Sequence, residues 1–135
     1  MQVPILKQGL FLIATIQSAL SDADLMQLRD AIVEQVGKRR SRGVIIDVTA
    51  LDVMDSFATR TLRDISQMIR LRGAETVIVG IQPEVALALV QLGLNLADVD
   101  TALDLEEGLA FLAQKIKSFD HKAPNAGREM GTRER

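Results

Sequence analysis

Residues 44–72 constrain the fold more than any other part of the chain. They begin with an apolar run, residues 44–48, which predicts a buried β-strand. A helical period follows, and one side of that helix is apolar through Ala58, Leu62, Ile65 and Ile69. Ser56 falls on the opposite side, in line with Arg60 and Arg63. The stretch therefore predicts a strand, a loop and an amphipathic helix, with Ser56 exposed where the helix begins.

Strands and helices alternate along the rest of the chain. The predicted strands cover residues 3–6, 10–16, 44–48, 76–79 and 96–99. The predicted helices begin at Ser21, after Asp55, at Pro83 and at Asp104, where capping or turn residues precede an apolar period. The first two strands flank Gly9 and form an antiparallel hairpin. This order predicts an α/β domain, with a mixed β-sheet of about five strands layered with about four α-helices.

The chain has the size and composition of one globular domain, with 135 residues of which 47% are hydrophobic. We expect the domain to cover residues 1–119 and the polar stretch 120–135 to be a disordered tail, because it has no apolar period. The apolar runs are far shorter than the roughly 20 residues that cross a bilayer, and no signal peptide is recognisable. Cysteine is absent. These features favour a cytoplasmic protein without contact to a membrane.

The distribution of charge argues against nucleic-acid binding. The formal net charge is −2, and the chain has four Phe but no Trp or Tyr to stack on bases. A basic run at residues 38–42 ends the first predicted helix, where cations favour the helix terminus. We interpret this run as a solvated helix end that also forms a local positive patch.

The third predicted helix, from Pro83 to about Leu92, is apolar on both sides. Val85, Leu89 and Leu92 lie on one side, and Leu87 and Val90 lie on the other. One side can pack on the sheet. Either a neighbouring element covers the other side, or Leu87 and Val90 form an interface with another protein. Leu87 and Val90 are therefore the candidate assembly interface.

The loop before the second helix carries Asp47, Asp52 and Asp55, which raises the question of enzymatic chemistry. A serine hydrolase is disfavoured because no G-x-S-x-G surrounds Ser56 and the single histidine, His121, lies in the predicted tail. A phospho-aspartate or metal site would need a lysine at the end of a later strand, and none is there. Simple roles suffice, with Asp52 in a turn and Asp55 as a helix cap. We expect no catalytic residue, no cofactor and no metal.

Three segments carry a resemblance to a known family: TALDVMDSFATRTL, VGIQPEVA and LGLNL. Over about residues 3–119 the chain resembles the STAS domains of anti-sigma-factor antagonists, and most closely the RsbS-type scaffold proteins of the bacterial stressosome. The most specific piece is Asp55-Ser56-Phe57, where such antagonists carry the serine that a partner kinase phosphorylates. The resemblance implies a single STAS domain and a phosphorylation site at Ser56, with Thr59 and Thr61 ranked well below it.

The resemblance also implies partners. A serine kinase of the RsbT type would be held by the unmodified protein and freed by phosphorylation, with Asp55, Arg60 and Arg63 forming the switch surface around Ser56. Sister STAS regulators of the RsbR type would join it in a homo- or hetero-oligomer. Those regulators carry a further phosphorylated threonine where this chain has Ala88, and they have an added N-terminal sensory domain. The chain is therefore expected to be a scaffold and not a sensor.

A different class of function stays open beside this one. A freestanding small-ligand or nucleotide-binding domain could use the strand ends and helix starts near Asp55 and Pro83 as an anion site. The phosphate-loop pattern G-x-x-x-x-G-K-[ST] is absent, and single glycines such as Gly80 are weak evidence.

Overall fold

The structure, a computed structural model, describes residues 3–129 except 95 and 97, with side chains to residue 118. Five strands form one sheet whose spatial order is the order of the chain. They are β1 (Ile5–Gln8), β2 (Phe11–Thr15), β3 (Gly43–Asp47), β4 (Glu75–Val79) and β5 (Asp100–Ala102). β1 and β2 form the predicted antiparallel hairpin, and β2 to β5 run parallel. The predicted mixed five-stranded sheet is confirmed.

Four helices cover both faces of this sheet. They are α1 (Asp22–Arg39), α2 (Ser56–Leu71), α3 (Pro83–Gln91) and α4 (Leu105–Glu129). The first three share one apolar core with one face of the sheet, and α4 packs on the other face through Leu105, Leu109 and Leu112. None of the helices in the described ranges is long and apolar enough to cross a membrane.

The central strands read as continuous apolar runs because both of their faces are buried. In β3, Val44 and Ile46 point into the core under α1 and α2, whereas Ile45 points to α4. Gly108 allows α4 to lie close to the sheet, since a Cβ atom there would meet Val79 Cγ1 at 2.6 Å. The sheet is thus the middle layer of three.

The fold has two distinct ends. We call the end where β2 to β5 finish the carboxyl edge and the end where they start the amino edge. Each of the four helices follows the carboxyl end of a strand. All four helices therefore begin at the carboxyl edge and run towards the amino edge.

The last strand differs from the prediction. The strand expected at residues 96–99 is wrong, because the structure places β5 at Asp100–Ala102. The apolar residues that suggested it serve the core instead: Val99 is buried, and Leu94 and Leu96 pack against the same cluster. β5 itself is short and polar, and it pairs with β4 at the edge of the sheet.

The last helix begins as predicted and extends past the expected domain boundary. Asp104 caps α4 by accepting a hydrogen bond of 2.9 Å from the Glu107 backbone N–H. The helix runs to Glu129, so residues 120–129 continue it instead of starting a tail at residue 120. Residues 130–135 lie outside the described residues. The boundary at residue 119 stays a prediction.

Candidate functional site: the Asp55–Ser56 corner

The loop that leads from β3 to α2 is held at the carboxyl edge by a polar network. The Asp47 carboxylate accepts hydrogen bonds from the Thr49 backbone N–H (2.9 Å) and hydroxyl (2.6 Å). From the neighbouring strand connection, Gln82 Nε2 donates to the Thr49 carbonyl at 2.6 Å. Gly80 has a φ of +83° and lies against Thr49, where a side chain would collide. These contacts hold the start of the loop, at Thr49, in one position.

The same loop is anchored to the core further along. Leu51 and Met54 are buried, whereas Asp52 and Val53 between them face solvent. Such anchoring leaves little freedom to the residues that follow. Asp52 lies in a bend, as predicted.

Asp55 is the N-cap of α2. Its backbone is extended, and its side chain accepts a 2.8 Å hydrogen bond from the Ala58 N–H. The Asp55 carbonyl accepts from the Thr59 N–H at 3.0 Å and from the Thr59 hydroxyl at 2.9 Å. The predicted cap is confirmed. The Thr59 hydroxyl, which is fully buried, is thus already hydrogen-bonded to Asp55. Thr61, two residues further on, is buried as well.

Ser56 is the first residue of α2 and is half-buried. The side chain is less exposed than the sequence predicted. A helical wheel treats the helix as an isolated cylinder, so it does not report burial by the rest of the fold. The capping role belongs to Asp55, so the Ser56 hydroxyl is left out of the helix cap.

The two arginines of the predicted switch surface lie on α2 beyond Ser56. Arg60 is four residues after Ser56 and exposed, and Arg63 is half-buried on the next turn. Residues four apart on a helix are neighbours, so Arg60 lies on the same side as Ser56. Within the part of the chain that has described side chains, Arg60 forms no ion pair.

Two of the three carboxylates of the corner accept hydrogen bonds within the chain. Asp47 holds Thr49, and Asp55 holds α2. Among the residues with described positions, no cluster of three or more metal-ligating side chains occurs. A cavity of about 80 Å³ adjoins Asp55 and is lined mostly by apolar residues such as Leu51 and Leu62. That volume is below the roughly 300 Å³ of small-molecule sites. A larger cleft of about 410 Å³ lies elsewhere, between β1 and α1.

The outer side of α3 is exposed. Val85 and Leu89 are buried in the core, whereas Leu87 and Val90 are 57% and 77% exposed. Within the described ranges no neighbouring element covers these two side chains. Leu92, which was assigned to the packed side, is 65% exposed, because the helix ends at Gln91 and Leu92 lies at its cap.

The Thr49–Gln82 contact was not predicted from the sequence. It joins two loops that are 33 residues apart, so no local pattern contains it. The one available signal was Gly80 directly after a strand, since a glycine there indicates a positive φ or a close approach.

Comparison with known proteins identifies relatives of this chain. The STAS domain family matches residues 2–108. The RsbT co-antagonist protein RsbRA of Bacillus subtilis (strain 168) is 34% identical over 83 residues, which are 62% of this chain and 30% of that protein. RsbRD of the same organism is 30% identical over 88 residues, which are 65% of this chain and 32% of that protein. The chain thus spans about a third of the length of these curated relatives.

Two solved structures are similar over most of this chain. A serine-to-glutamate variant of RsbS from Moorella thermoacetica has a TM-score of 0.75 and 34% identity, covering 87% of this chain and 99% of that one. A chain from a solved structure of the stressosome, described there as a signal integration and transduction hub, has a TM-score of 0.69 and 33% identity. It covers 84% of this chain and 98% of that one.

Proposed function

Because this chain belongs to the STAS-domain family, we propose that it is a non-enzymatic antagonist and scaffold of a bacterial stressosome. In this role it holds a serine kinase of the RsbT type and releases the kinase when Ser56 is phosphorylated. Two kinds of relative support the proposal. The curated ones are named co-antagonists of RsbT, and one similar solved chain comes from a stressosome. The protein would act in the cytoplasm.

The position of Ser56 is the observation that carries the proposal. Its hydroxyl is outside the helix cap, whereas the nearby hydroxyl of Thr59 is buried and already donates to Asp55. A kinase that reaches this corner therefore finds one serine hydroxyl that can be modified without opening the helix. The fixed loop before it presents that hydroxyl in one place.

A phosphate on Ser56 is compatible with the fold. It adds about −1.5 to −2 charges at the start of α2, where the helix dipole favours an anion. The N–H groups at the first positions of a helix lack partners within the helix and can bond to such an anion. Arg60, one turn later and exposed, adds a positive charge on the same side. The protein would remain folded after modification.

The phosphate would instead change the surface that a partner meets. A kinase packed on this corner would face a new dianion beside the Asp55 carboxylate, which costs desolvation and adds repulsion. Release is therefore an electrostatic consequence of the modification. Co-assembly with sister STAS regulators of the RsbR type would use a different surface, the exposed Leu87 and Val90 on α3.

The proposal is tested by incubating the protein with its RsbT-type kinase and ATP, mapping phosphate by mass spectrometry and following the complex by gel filtration. We expect phosphate on Ser56 and loss of the kinase from the complex. Ser56→Ala should retain kinase binding without phosphorylation, and Ser56→Asp should weaken binding. Ser118→Ala, which changes an exposed serine on α4, is the matched control and should behave like wild type.

Two results would contradict the proposal. Phosphate incorporation that persists in Ser56→Ala would show that another residue is the acceptor. Equal kinase binding by Ser56→Asp and wild type would show that charge at this corner is not the release signal. The competing function, a small-ligand or nucleotide-binding domain, would be supported by calorimetric binding of a nucleotide at micromolar strength.

A further inference from the structure

The fold separates positive from negative charge along its length. The exposed cations at the amino edge, which we call the basic end, are Lys38, Arg39, Arg40, Arg70 and Arg72. The exposed carboxylates at the carboxyl edge, which we call the acidic end, are Asp22, Asp52, Asp55, Glu84, Asp104, Glu106 and Glu107. The segments that build the acidic end, residues 16–24, 47–59, 79–88 and 102–110, contain no Lys or Arg. The two ends therefore have opposite sign.

The cations of the basic end form one surface although they come from two helices. α1 and α2 pack side by side and end at the same edge. The Arg72 guanidinium lies against Gly37 in the last turn of α1, where a side chain would collide with it. Arg70 reaches sideways to the Asp98 carbonyl at 3.4 Å. The positive charge thus spans the ends of α1 and α2 and is bounded on one side by the exposed Asp98.

Helix dipoles account for only part of this arrangement. Four helix starts amount to roughly +2 charges in total, against the seven carboxylates of the acidic end. Two helix ends amount to roughly −1, against the five cations of the basic end. Asp52 lies in a loop, and Arg40 lies beyond α1 in a left-handed conformation. Both ends therefore keep a large excess of charge after the dipoles are satisfied.

Each end also exposes a large apolar side chain among its charges. Leu71 is 89% exposed between Arg70 and Arg72, and Val53 is 66% exposed beside Asp52. An apolar centre within a polar, charged surround is typical of protein–protein contacts. Because both ends combine an exposed apolar side chain with charges of opposite sign, each is suited to bind the other.

We propose that the basic end of one copy of this chain docks on the acidic end of a second copy. The chain itself supplies both complementary surfaces, at opposite edges of the same sheet, so the contact is head-to-tail and can repeat from copy to copy. An acidic protein surface is favoured over nucleic acid because no exposed aromatic residue is among the residues of the basic end. This contact does not require the kinase, although a phosphate on Ser56, beside Asp55, would add negative charge to the acidic end.

The test compares self-association of three variants of the full chain by sedimentation velocity. The first reverses the basic end with Lys38→Glu, Arg39→Glu and Arg72→Glu. The second reverses the acidic end with Asp52→Lys, Glu84→Lys and Glu106→Lys, none of which is a helix cap. The third is a control for added negative charge, with Gln27→Glu, Arg29→Glu and Gln67→Glu, which lie along α1 and α2 between the two ends.

Wild type should self-associate about tenfold more weakly when NaCl rises from about 50 mM to about 500 mM, because the screening length falls. Neither end-reversed variant should self-associate alone, and an equal mixture of the two should associate again, since each then meets its opposite. The control should associate like wild type. Thermal melting of each variant confirms that it is folded.

Three outcomes would overturn the inference: wild type monomeric at low salt, association insensitive to salt and to both reversals, or folded variants that fail to associate when mixed. Binding of wild type to vesicles of anionic lipid, lost in the basic-end variant and without self-association, would assign the basic end to a membrane surface instead. None of these measurements involves the kinase, so their failure is distinct from failure of the proposed switch.

Discussion

The Asp55 carboxylate accepts a 2.8 Å hydrogen bond from the backbone N–H of Ala58, and this contact defines where α2 begins. The same residue therefore positions Ser56, which comes directly after it. Replacing Asp55 separates its two contributions, the cap and the charge.

We expect Asp55→Ala to lower the free energy of unfolding by about 1 kcal/mol, because an N-cap acceptor is lost. Asp55→Asn should cost only a few tenths of a kcal/mol, since Asn caps about as well as Asp. Urea unfolding measures both values. If Asn were as costly as Ala, the negative charge and not the hydrogen bond would stabilise the start of the helix.

Two glycines within helices should respond to alanine in opposite directions. Gly→Ala in a helix normally stabilises by up to about 1 kcal/mol. At Gly37 the nearest obstacle is the flexible end of Arg72, which can move, so Gly37→Ala should follow the rule. At Gly108 the new Cβ would meet Val79 of the packed sheet at 2.6 Å, so Gly108→Ala should cost about 1–3 kcal/mol.

Chemical denaturation of the two variants checks this pair. A stabilising Gly108→Ala would mean that α4 can move away from β4 at little cost, and the close packing there would be unimportant.

Lys115 fastens α4 to the amino edge of the sheet. Its ammonium lies 2.8 Å from Asp100 and 3.1 Å from Glu75, and 5.6 Å from the centre of the Phe111 ring. Burial lowers the pKa of Lys115, but the hydrogen bonds to Asp100 and Glu75 outweigh burial and raise that pKa above its ordinary value. The contribution to stability is therefore complete below the ordinary lysine range and is lost as the pH rises through the raised pKa.

We expect Lys115→Met to lower the free energy of unfolding at neutral pH by at most about 1 kcal/mol, because the pair is partly exposed. The difference from wild type should shrink above about pH 10.4, where lysines lose their charge. Lys117→Met, an exposed lysine on the same helix, is the control and should be neutral. Unfolding curves at neutral and alkaline pH measure this difference in the free energy of unfolding. A difference that does not change with pH would rule out the ionic role.

Charge placed on the outer side of α3 should affect assembly and not folding. Leu87→Glu and Val90→Glu change exposed side chains, so the free energy of unfolding should stay within about 0.5 kcal/mol of wild type. Leu89→Ala, on the buried side, should cost about 2–5 kcal/mol. If α3 is the assembly interface, gel filtration with an RsbR-type partner should show smaller complexes for the two Glu variants. Unchanged complexes from folded variants would place the interface elsewhere.

The layers of the fold were predictable because local patterns carry them. Within residues 44–72 the continuous apolar run of β3 gives way to the helical period of α2. Asp104 caps α4, as expected of an Asp before a helical period. β5 was misplaced because Val99 is apolar for the sake of the core, while the strand that pairs with β4 consists of polar and small residues. Strand pairing at a sheet edge depends on backbone groups, which composition does not reveal.

Part of the candidate site was predictable in the same way, from local sequence patterns. Asp55 as the cap follows from its position directly before the helical period. The half-burial of Ser56 depends on the rest of the fold, which a helical wheel omits, and the Thr59 hydroxyl bonds locally to the Asp55 carbonyl. The phosphorylation of Ser56 and the roles of Arg60 and Arg63 remain predictions.

The order of the strands in the sheet bears on how the chain folds as it is synthesised. Each strand pairs with the one made just before it, so a growing chain can extend the sheet without waiting for a later segment to insert. α4 is the exception, since within the described residues it covers Ile13, Ile45 and Val77 and is made after all five strands. Until it emerges from the ribosome, one whole apolar face of a nearly finished sheet is open to other chains. The nascent protein is therefore most prone to aggregation after β5 has emerged and before α4 has packed on the sheet.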